Sequence, residues 1–199
     1  ELFTTQDNIG PGLILWQPKG AQLRRLIEDY WKDEHYRHDY ELLYTPHIAR
    51  QDLWKTSGHL DFYSENMYSP MDIDDVKYQL KPMNCPSHMT LYNEMGVHSY
   101  RDLPLRFAEF ATLYRYEISG TLSGLTRVRA LTQDDCHIFC TEDQILDECV
   151  AYTSLLQSVY RDFGFEHILY KVSTRPEMRI GSDEVWDKAE AALMESLKR

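Results

Sequence analysis

The chain has 199 residues, 43% of them hydrophobic, which is enough for a buried core and predicts one or at most two domains. Its net charge of −11 disfavours a general nucleic-acid binder, because such binding depends largely on neutralising phosphates. No apolar run approaches the roughly 18 residues of a membrane span, and the polar N-terminus is unlike a secretory signal. We therefore expect a cytoplasmic protein without membrane contact, and the missing initial methionine indicates a fragment.

Turn signals and apolar periodicity predict the first helices and strands in chain order. A helix begins at Pro18, where apolar residues recur at helical spacing. A strand over residues 40–45 ends before a proline, and a short second helix begins near Asn84. The period changes to two over residues 106–139, which predicts two long strands joined by a flexible loop at residues 118–124.

The remainder of the chain is predicted to be mainly helical. Thr141 and Gln144 have the form of a capping box at the start of a helix. A strand is predicted over residues 165–172, followed by a helix from about Ser182 to the end of the chain. The simplest assembly of these elements is an α+β fold, in which helices flank an antiparallel sheet.

The second long strand carries most of the chemical information. Every second side chain of a strand points to the same face, so one face combines guanidinium, amide, carboxylate and imidazole groups. These residues, together with one leucine, are Arg127, Arg129, Leu131, Gln133, Asp135 and His137, and the preceding strand adds Arg115 and Glu117. Such a face suits a polyphosphate, because guanidinium groups match phosphate oxygens and keep their charge. A solvated sheet face with ordinary cross-strand ion pairs is an equally open interpretation.

The four cysteines are expected to be free thiols or metal ligands, because the chain has no secretory features. A local metal site of Cys136, His137 and Cys140 conflicts with strand alternation, since both cysteines project away from the face of His137. If zinc binds, Cys85 before the second helix is the best partner for His137. Lone cysteines and histidines are more often packed side chains than ligands, so this alternative stays open.

Four segments of the chain stand out as long motifs. They read KPMNCP at residues 81–86, YRDLPLR at residues 100–106, RVR to QDDCHIF over residues 127–139, and STRPE to RIGS over residues 173–182. These segments closely resemble those of threonyl-tRNA synthetases, which are class II aminoacyl-tRNA synthetases. They occur in the family's order and span nearly the whole chain. The resemblance implies that residues 1–199 are a truncated class II catalytic domain with the first two signature motifs, the third being absent.

The resemblance also implies an ATP site. Arg115 would hold the α-phosphate as the main catalytic group, Glu117 would contact the adenine edge, and Arg127 would reach the outer phosphates. The cofactor would be ATP with Mg²⁺. Leu131 stands where the family often has a stacking phenylalanine, so its contact with adenine would be apolar packing.

For the amino acid, the resemblance implies Zn²⁺ held by Cys85, His137 and a third ligand outside this chain. The open coordination would accept the amino and hydroxyl groups of threonine and reject valine. Asp135 would accept a hydrogen bond from the substrate ammonium, with Gln133 and Met83 positioning the amino acid. The implied reaction activates threonine with ATP and transfers it to tRNA(Thr), in a parent protein that is a homodimer.

Two other functions remain open from the sequence. A non-catalytic synthetase paralogue or regulatory module would bind ligands without turnover, although the phosphate-binding Arg115 favours the enzyme. A structural zinc domain would need four ligands, and the sequence offers only two well-placed ones. Because the third motif and the third zinc ligand would lie beyond Arg199, we expect the chain to be inactive alone.

Overall fold

The computed structural model describes residues 1–198, which form two compact units. The first unit contains residues 1–98 and 106–137, and the second contains residues 99–105 and the chain from residue 138 onward. Within residues 1–198, no helix combines the length and the apolar composition that crossing a membrane requires.

The structure combines eight strands and six helices within residues 1–198, as an α+β fold does. The strands are β1 (Phe3–Thr4), β2 (Leu15–Trp16), β3 (Glu41–Leu42), β4 (Ile48–Arg50), β5 (Met71–Ile73), β6 (Val76–Leu80), β7 (Leu105–Tyr114) and β8 (Ala130–Phe139). The helices are α1 (Pro18–Arg37), α2 (Gln51–Thr56), α3 (His59–Tyr63), α4 (Cys85–Glu94), α5 (Ile145–Asp162) and α6 (Asp183–Ser196). Short 3₁₀ turns lie at Ser64–Asn66, Tyr100–Asp102, Ser119–Thr121 and Glu142–Gln144.

The sheet that supports the site has the strand order β3-β7-β8. β3 pairs with β7 in parallel, with Glu41 opposite Phe107 and Leu42 opposite Ala108. The predicted antiparallel arrangement is therefore wrong for this pair, because the long connection between the two strands lets them run in the same direction. The backbone of β7 lies at the centre of the sheet, and Phe107, Ala108 and Leu113 are fully buried.

The predicted first helix is confirmed as α1, which begins at Pro18 as a helix-initiating proline should. α1 packs on the sheet through Trp31, whose ring lies edge-on to Phe110 at a centroid distance of 5.5 Å. The indole Nε1 of Trp31 also donates a hydrogen bond to Asp134 Oδ2 across 3.1 Å. These contacts anchor the helix to the face of β8 opposite the odd-numbered residues.

A second, antiparallel sheet of the first unit has the order β4-β6-β5. Its β5–β6 hairpin turns at Asp74 and Asp75, which both have positive φ angles, 51° and 60°. Two successive positive φ values are the signature of the tight type I′ turn that suits strand twist. Lys81 continues from β6, and its backbone N–H donates to the carbonyl of His47 across 3.0 Å. This pairing leads the chain directly into the segment before α4.

The second unit is built around α5 and α6. The predicted capping box is confirmed, since the side chains of Thr141 and Gln144 satisfy each other's backbone N–H groups before α5 begins. The last predicted helix is also confirmed, with the hydroxyl of Ser182 capping its N-terminus. The predicted strand at residues 165–172 is wrong: this segment has no strand structure, because no neighbouring strand pairs with it in the described part of the chain.

Candidate active site at the junction of α4 and β8

Three side chains with metal-binding atoms converge where α4 begins beside β8. Cys85 is the first residue of α4, and Asp135 and His137 lie two residues apart on β8, on one face of the strand. A sulfur, a carboxylate oxygen and an imidazole nitrogen from these residues all lie within 4.8 Å of one another, and all three residues are half-buried. The structure thus brings together the two predicted zinc ligands and adds Asp135, which the sequence analysis assigned to the substrate ammonium.

Burial controls the protonation of this cluster. Desolvation raises the pKa of the Cys85 thiol, and the nearby Asp135 carboxylate raises it further. Desolvation lowers the pKa of His137, and the nearby Asp135 carboxylate opposes this shift. These shifts favour a neutral imidazole at neutral pH, which is the form in which histidine ligates a metal, whereas a bound cation must displace the proton of the thiol.

Cys136 lies outside this cluster. Among the described residues, the group that could hold a metal ion contains Cys85, Asp135 and His137 but not Cys136, as strand alternation predicted. Burial, with the help of Asp135, raises the pKa of the Cys136 thiol to about 11. All four cysteines are free of disulfide bonds, which agrees with the prediction of free thiols or metal ligands.

The side chain of Asn84, the residue before α4, holds the carboxylate of Asp135. Asn84 is fully buried, and its Nδ2 donates a hydrogen bond to Asp135 Oδ2 across 3.1 Å. Its Oδ1 has no hydrogen-bond partner within residues 1–198. Because buried polar atoms are rarely left unpaired, this oxygen is available to a donor group of a bound ligand.

Behind the cluster lies a buried ionic network centred on Glu109 of β7. The Glu109 carboxylate is 3% exposed and accepts hydrogen bonds from the backbone N–H of Thr45 at 2.9 Å and from its hydroxyl at 2.8 Å. The ammonium of Lys81, itself 2% exposed, lies 3.4 Å from Glu109 Oε1 and donates to the Thr45 hydroxyl across 2.9 Å. Burial alone would raise the pKa of Glu109, but hydrogen bonds from His88 and Thr45 and the charge of Lys81 outweigh it and lower the pKa to about 2.

His88 connects this network to the cluster. Its Nε2 lies 2.9 Å from Glu109 Oε2, and its Nδ1 lies 2.9 Å from His137 Nδ1. The imidazole of His88 has no exposed surface. Neither the strand pattern nor the motifs predicted that His88, Glu109 and Lys81 belong to the site. The one available signal was a glutamate in the middle of the apolar strand segment FAEFA, since a buried charge requires a partner.

Three of the residues predicted for ATP, Arg115, Glu117 and Arg127, lie in the connection between β7 and β8 and not on the strands themselves. β7 ends at Tyr114 and β8 begins at Ala130, so the prediction that Arg115, Glu117, Arg127 and Arg129 occupy strand positions is wrong. One backbone bond continues the pairing, from the N–H of Arg115 to the carbonyl of Arg129 at 3.0 Å, but the N–H of Arg129 donates to the carbonyl of Gly12 across 2.8 Å instead of returning to the neighbouring strand. Arg129 is used structurally, since its guanidinium donates to the carbonyl of Glu117 at 3.0 and 2.9 Å.

Two contacts position these residues: Arg127 pairs with Glu117, and Arg115 bonds to the segment before α4. Arg127 Nε forms an ion pair with Glu117 Oε2 at 3.0 Å, with the Arg127 side chain 56% exposed and Glu117 largely buried. Arg115 Nε donates to the carbonyl of Pro82 across 3.4 Å. This bond ties the Arg115 guanidinium to the segment that leads into Cys85.

The remaining predicted residues lie in three different surroundings. Met83 contacts His59, with 3.2 Å between its sulfur and the imidazole Nε2. Gln133 is half-buried on β8, two residues before Asp135. Leu131 lines an apolar groove that also includes Trp16 and Phe110.

Comparison with known proteins places this geometry in a family. Residues 68–197 match the family described as tRNA synthetase class II core domain (G, H, P, S and T). The chain therefore belongs to the class II tRNA synthetase core-domain family. The α+β fold is likewise shared with solved class II synthetases, including a prolyl-tRNA synthetase from Giardia lamblia with a TM-score of 0.72, 18% identity and coverage of 81% of this chain and 33% of that one.

Within this family the similarity is to threonine-specific enzymes, which confirms the resemblance seen in the motifs. The chain is 55% identical over 197 residues to the chloroplastic/mitochondrial threonine–tRNA ligase 2 of Arabidopsis thaliana, covering 99% of this chain and 30% of that protein. It is 56% identical to the threonine–tRNA ligase of Bordetella avium, covering 100% of this chain and 30% of that protein. A threonyl-tRNA synthetase structure from Cryptosporidium parvum has a TM-score of 0.88 and 41% identity, covering 99% of this chain and 48% of that one. The chain thus spans about 30% of the length of its curated relatives.

Proposed function

We propose that this chain is part of the catalytic core of a threonine–tRNA ligase, which activates threonine with ATP and transfers it to tRNA(Thr). The observation that carries the proposal is the cluster of Cys85, Asp135 and His137 within 4.8 Å. A thiol, an imidazole and a carboxylate together suit a zinc ion and an amino-acid ammonium. Membership in the class II core family and the named threonine-specific relatives support the reaction.

The donor atoms of the cluster fit zinc. Zinc is usually tetrahedral and takes sulfur, nitrogen and oxygen ligands at about 2.0 to 2.3 Å, so two donors on one ion lie about 3.3 to 3.8 Å apart. The donors lie within 4.8 Å, and small side-chain movements would bring them to such an ion. Cys85 and His137 would hold the ion. When bound, it would act as a Lewis acid that accepts the amino and hydroxyl groups of threonine and so discriminates against valine.

Asp135 would have a different task, namely to accept a hydrogen bond from the threonine ammonium. The amide of Asn84 fixes one of its oxygens, so the carboxylate is oriented before the substrate arrives. Met83 and Gln133 would complete the amino-acid pocket from the segment before α4 and from β8. A carboxylate oriented in advance costs less to order on binding, which favours affinity for an ammonium group.

Arg115 would stabilise the charge on the α-phosphate of ATP, which would be bound together with Mg²⁺. Its tie to Pro82 supports this role, since it places the guanidinium beside the segment that carries Cys85. The threonine carboxylate and the phosphate it attacks must be neighbours, and a positioned guanidinium at that point lowers the barrier electrostatically. Glu117 would contact the adenine edge, Leu131 would pack against adenine, and Arg127 would exchange its ion pair with Glu117 for the outer phosphates.

The complete activity would belong to a longer protein, because the chain spans about 30% of its curated relatives. That longer protein would supply the third zinc ligand and the third signature motif. It would also contact tRNA(Thr) and form the homodimer interface. We propose a cytoplasmic location for it. We expect weak zinc binding by this chain alone and tight binding by the longer protein, since only the latter would supply the third ligand.

Amino-acid-dependent exchange of pyrophosphate into ATP by the full-length protein tests the proposal. Exchange with threonine, little with serine and none with valine is expected, because valine has no hydroxyl for the metal. A folded protein that catalyses no exchange with any of the three would instead be a non-catalytic paralogue. Equal exchange with valine and with threonine would show that the metal does not recognise the threonine hydroxyl.

A further inference from the structure

We propose that His88, supported by Glu109, is a positioning residue that holds His137 in the tautomer whose Nε2 is free to bind metal. This inference rests on the proposed function of Cys85 and His137 as zinc ligands. It assigns a task to a buried ionic network that the chemistry of activation does not otherwise use.

Glu109 is held as a hydrogen-bond acceptor. Its two carboxylate oxygens receive hydrogen bonds from the backbone N–H and hydroxyl of Thr45, and the ammonium of Lys81 lies 3.4 Å away. A carboxylate with these donors around it is ionised and can only accept further hydrogen bonds. The contact of 2.9 Å between Glu109 Oε2 and His88 Nε2 therefore requires the proton to be on His88 Nε2.

The burial of His88 determines its charge. Lys81 and Glu109 already form a pair of opposite charges with 2% and 3% exposure. A positive charge on His88, which has no exposed surface, would leave the buried trio with a net charge and no compensating solvent. Uncompensated buried charges are strongly unfavourable, so His88 is neutral, and its Nδ1 is an acceptor.

The hydrogen bond from His137 to His88 then fixes the tautomer of His137. The two Nδ1 atoms lie 2.9 Å apart, and because His88 Nδ1 accepts, His137 Nδ1 must carry the donated proton. A neutral imidazole has a single N–H, so Nε2 of His137 then has a free lone pair. Histidine ligands generally donate their second ring nitrogen to an outer partner in this way, which fixes both the tautomer and the ring orientation.

Two substitutions of His88 separate its two hydrogen bonds. In His88→Asn the amide oxygen lies near the former Nδ1, so an acceptor for His137 remains while the contact with Glu109 is lost. In His88→Gln the amide reaches the former Nε2, so a donor to Glu109 remains while the acceptor for His137 is lost. His35→Gln is the matched control, because His35 is also buried but its Nδ1 contacts the backbone carbonyl of Trp31 across 2.8 Å.

The experiment measures the zinc affinity of the folded full-length protein by chelator competition, together with the visible absorption spectrum of its cobalt-substituted form. We expect His88→Gln to lose about 10- to 100-fold in zinc affinity and to change the cobalt spectrum. His88→Asn should stay much closer to the wild type, and His35→Gln should match it. Wild-type affinity and spectrum in His88→Gln would overturn the inference, as would equal losses in all three variants.

A failure of the underlying zinc site gives a different result. If the wild-type protein binds no zinc, or if Cys85→Ser binds zinc as tightly as the wild type, the proposed ligand set is wrong and the positioning role of His88 falls with it. If Cys85→Ser abolishes binding while His88→Gln has no effect, the ligand set stands and the role assigned to His88 is wrong.

Discussion

Asn84 Nδ2 donates a hydrogen bond to Asp135 Oδ2 across 3.1 Å, which joins the residue before α4 to the face of β8. The amide therefore fixes the carboxylate that is proposed to receive the threonine ammonium. A hydrogen bond to a charged group is worth about 1.5 to 3 kcal/mol, which corresponds to roughly 10- to 100-fold in an equilibrium constant.

Replacing Asn84 by alanine should therefore raise the KM for threonine by about 10-fold or more in pyrophosphate exchange. The KM for ATP should change little, because Asn84 does not contact the residues proposed for the nucleotide. Asn93→Ala, an exposed asparagine on the same helix, is the control and should behave as the wild type. Equal increases in both KM values would indicate general damage to the fold and contradict the specific role.

Glu109 should make the free energy of unfolding depend on pH in the acidic range. Its pKa is lowered from an ordinary value of 4.5 to about 2 in the folded protein, so the unfolded chain takes up its proton first as the pH falls. The resulting stabilisation, about 3 kcal/mol, is fully present above about pH 4.5 and is lost as the pH falls towards 2.

Urea unfolding of the wild type and Glu109→Gln between pH 7 and pH 2 measures this contribution. The variant should be less stable by about 3 kcal/mol at pH 7, and the difference should shrink as the pH approaches 2. A difference that stays constant over this range would show that the charge of Glu109 has no part in it.

Gly20 should be required where α1 meets the N-terminal segment. A Cβ atom at this position would lie 1.9 Å from the carbonyl oxygen of Leu2, which is backbone and cannot rotate away. The overpacking cost of about 1 to 3 kcal/mol exceeds the gain in helix propensity from alanine, at most about 1 kcal/mol. Gly20→Ala should therefore lower the thermal midpoint, whereas Lys19→Ala at an exposed neighbouring position should not. A higher midpoint for Gly20→Ala would contradict the close approach.

Arg127 should exchange one partner for another when ATP binds. Its ion pair with Glu117 at 3.0 Å is the contact that the outer phosphates would replace. Arg127→Gln should raise the KM for ATP with little change in the KM for threonine, and the effect should be about 10-fold, since charge-assisted bonds contribute about 1.5 to 3 kcal/mol. Lys198→Gln, which removes a cation of the second unit paired with Glu195, is the control. An unchanged KM for ATP in Arg127→Gln would show that Arg127 does not contact the nucleotide.

Local sequence signals predicted the elements that depend on local chemistry. Pro18 marked the start of α1, and the capping box of Thr141 and Gln144 marked the turn that leads into α5, because these signals act within one helical turn. Alternation along β8 placed Asp135 and His137 on one face, with Cys136 outside their cluster. Alternation also excluded Cys140, which left Cys85 as the best candidate partner for His137, and the resemblance to threonyl-tRNA synthetases implied the same pair.

The sequence did not predict the contacts between residues that are far apart in the chain. β8 begins at Ala130 and not at Arg127, and the N–H of Arg129 bonds to Gly12, more than 100 residues earlier in the chain. The path from Glu109 through His88 to His137 was missed for the same reason, since it joins β7, α4 and β8. The predicted strand at residues 165–172 failed because strand propensity does not reveal whether a pairing strand exists.

The most direct test of the central claim is threonine-dependent pyrophosphate exchange by the full-length wild type, Cys85→Ser and Cys136→Ser, measured together with their zinc content. Cys85 belongs to the cluster with Asp135 and His137, whereas Cys136 does not. Cys85→Ser is expected to lose zinc and at least about 100-fold in kcat/KM for threonine, which corresponds to about 2.7 kcal/mol, while Cys136→Ser retains both. Full zinc content and wild-type exchange in Cys85→Ser would contradict the proposed zinc site.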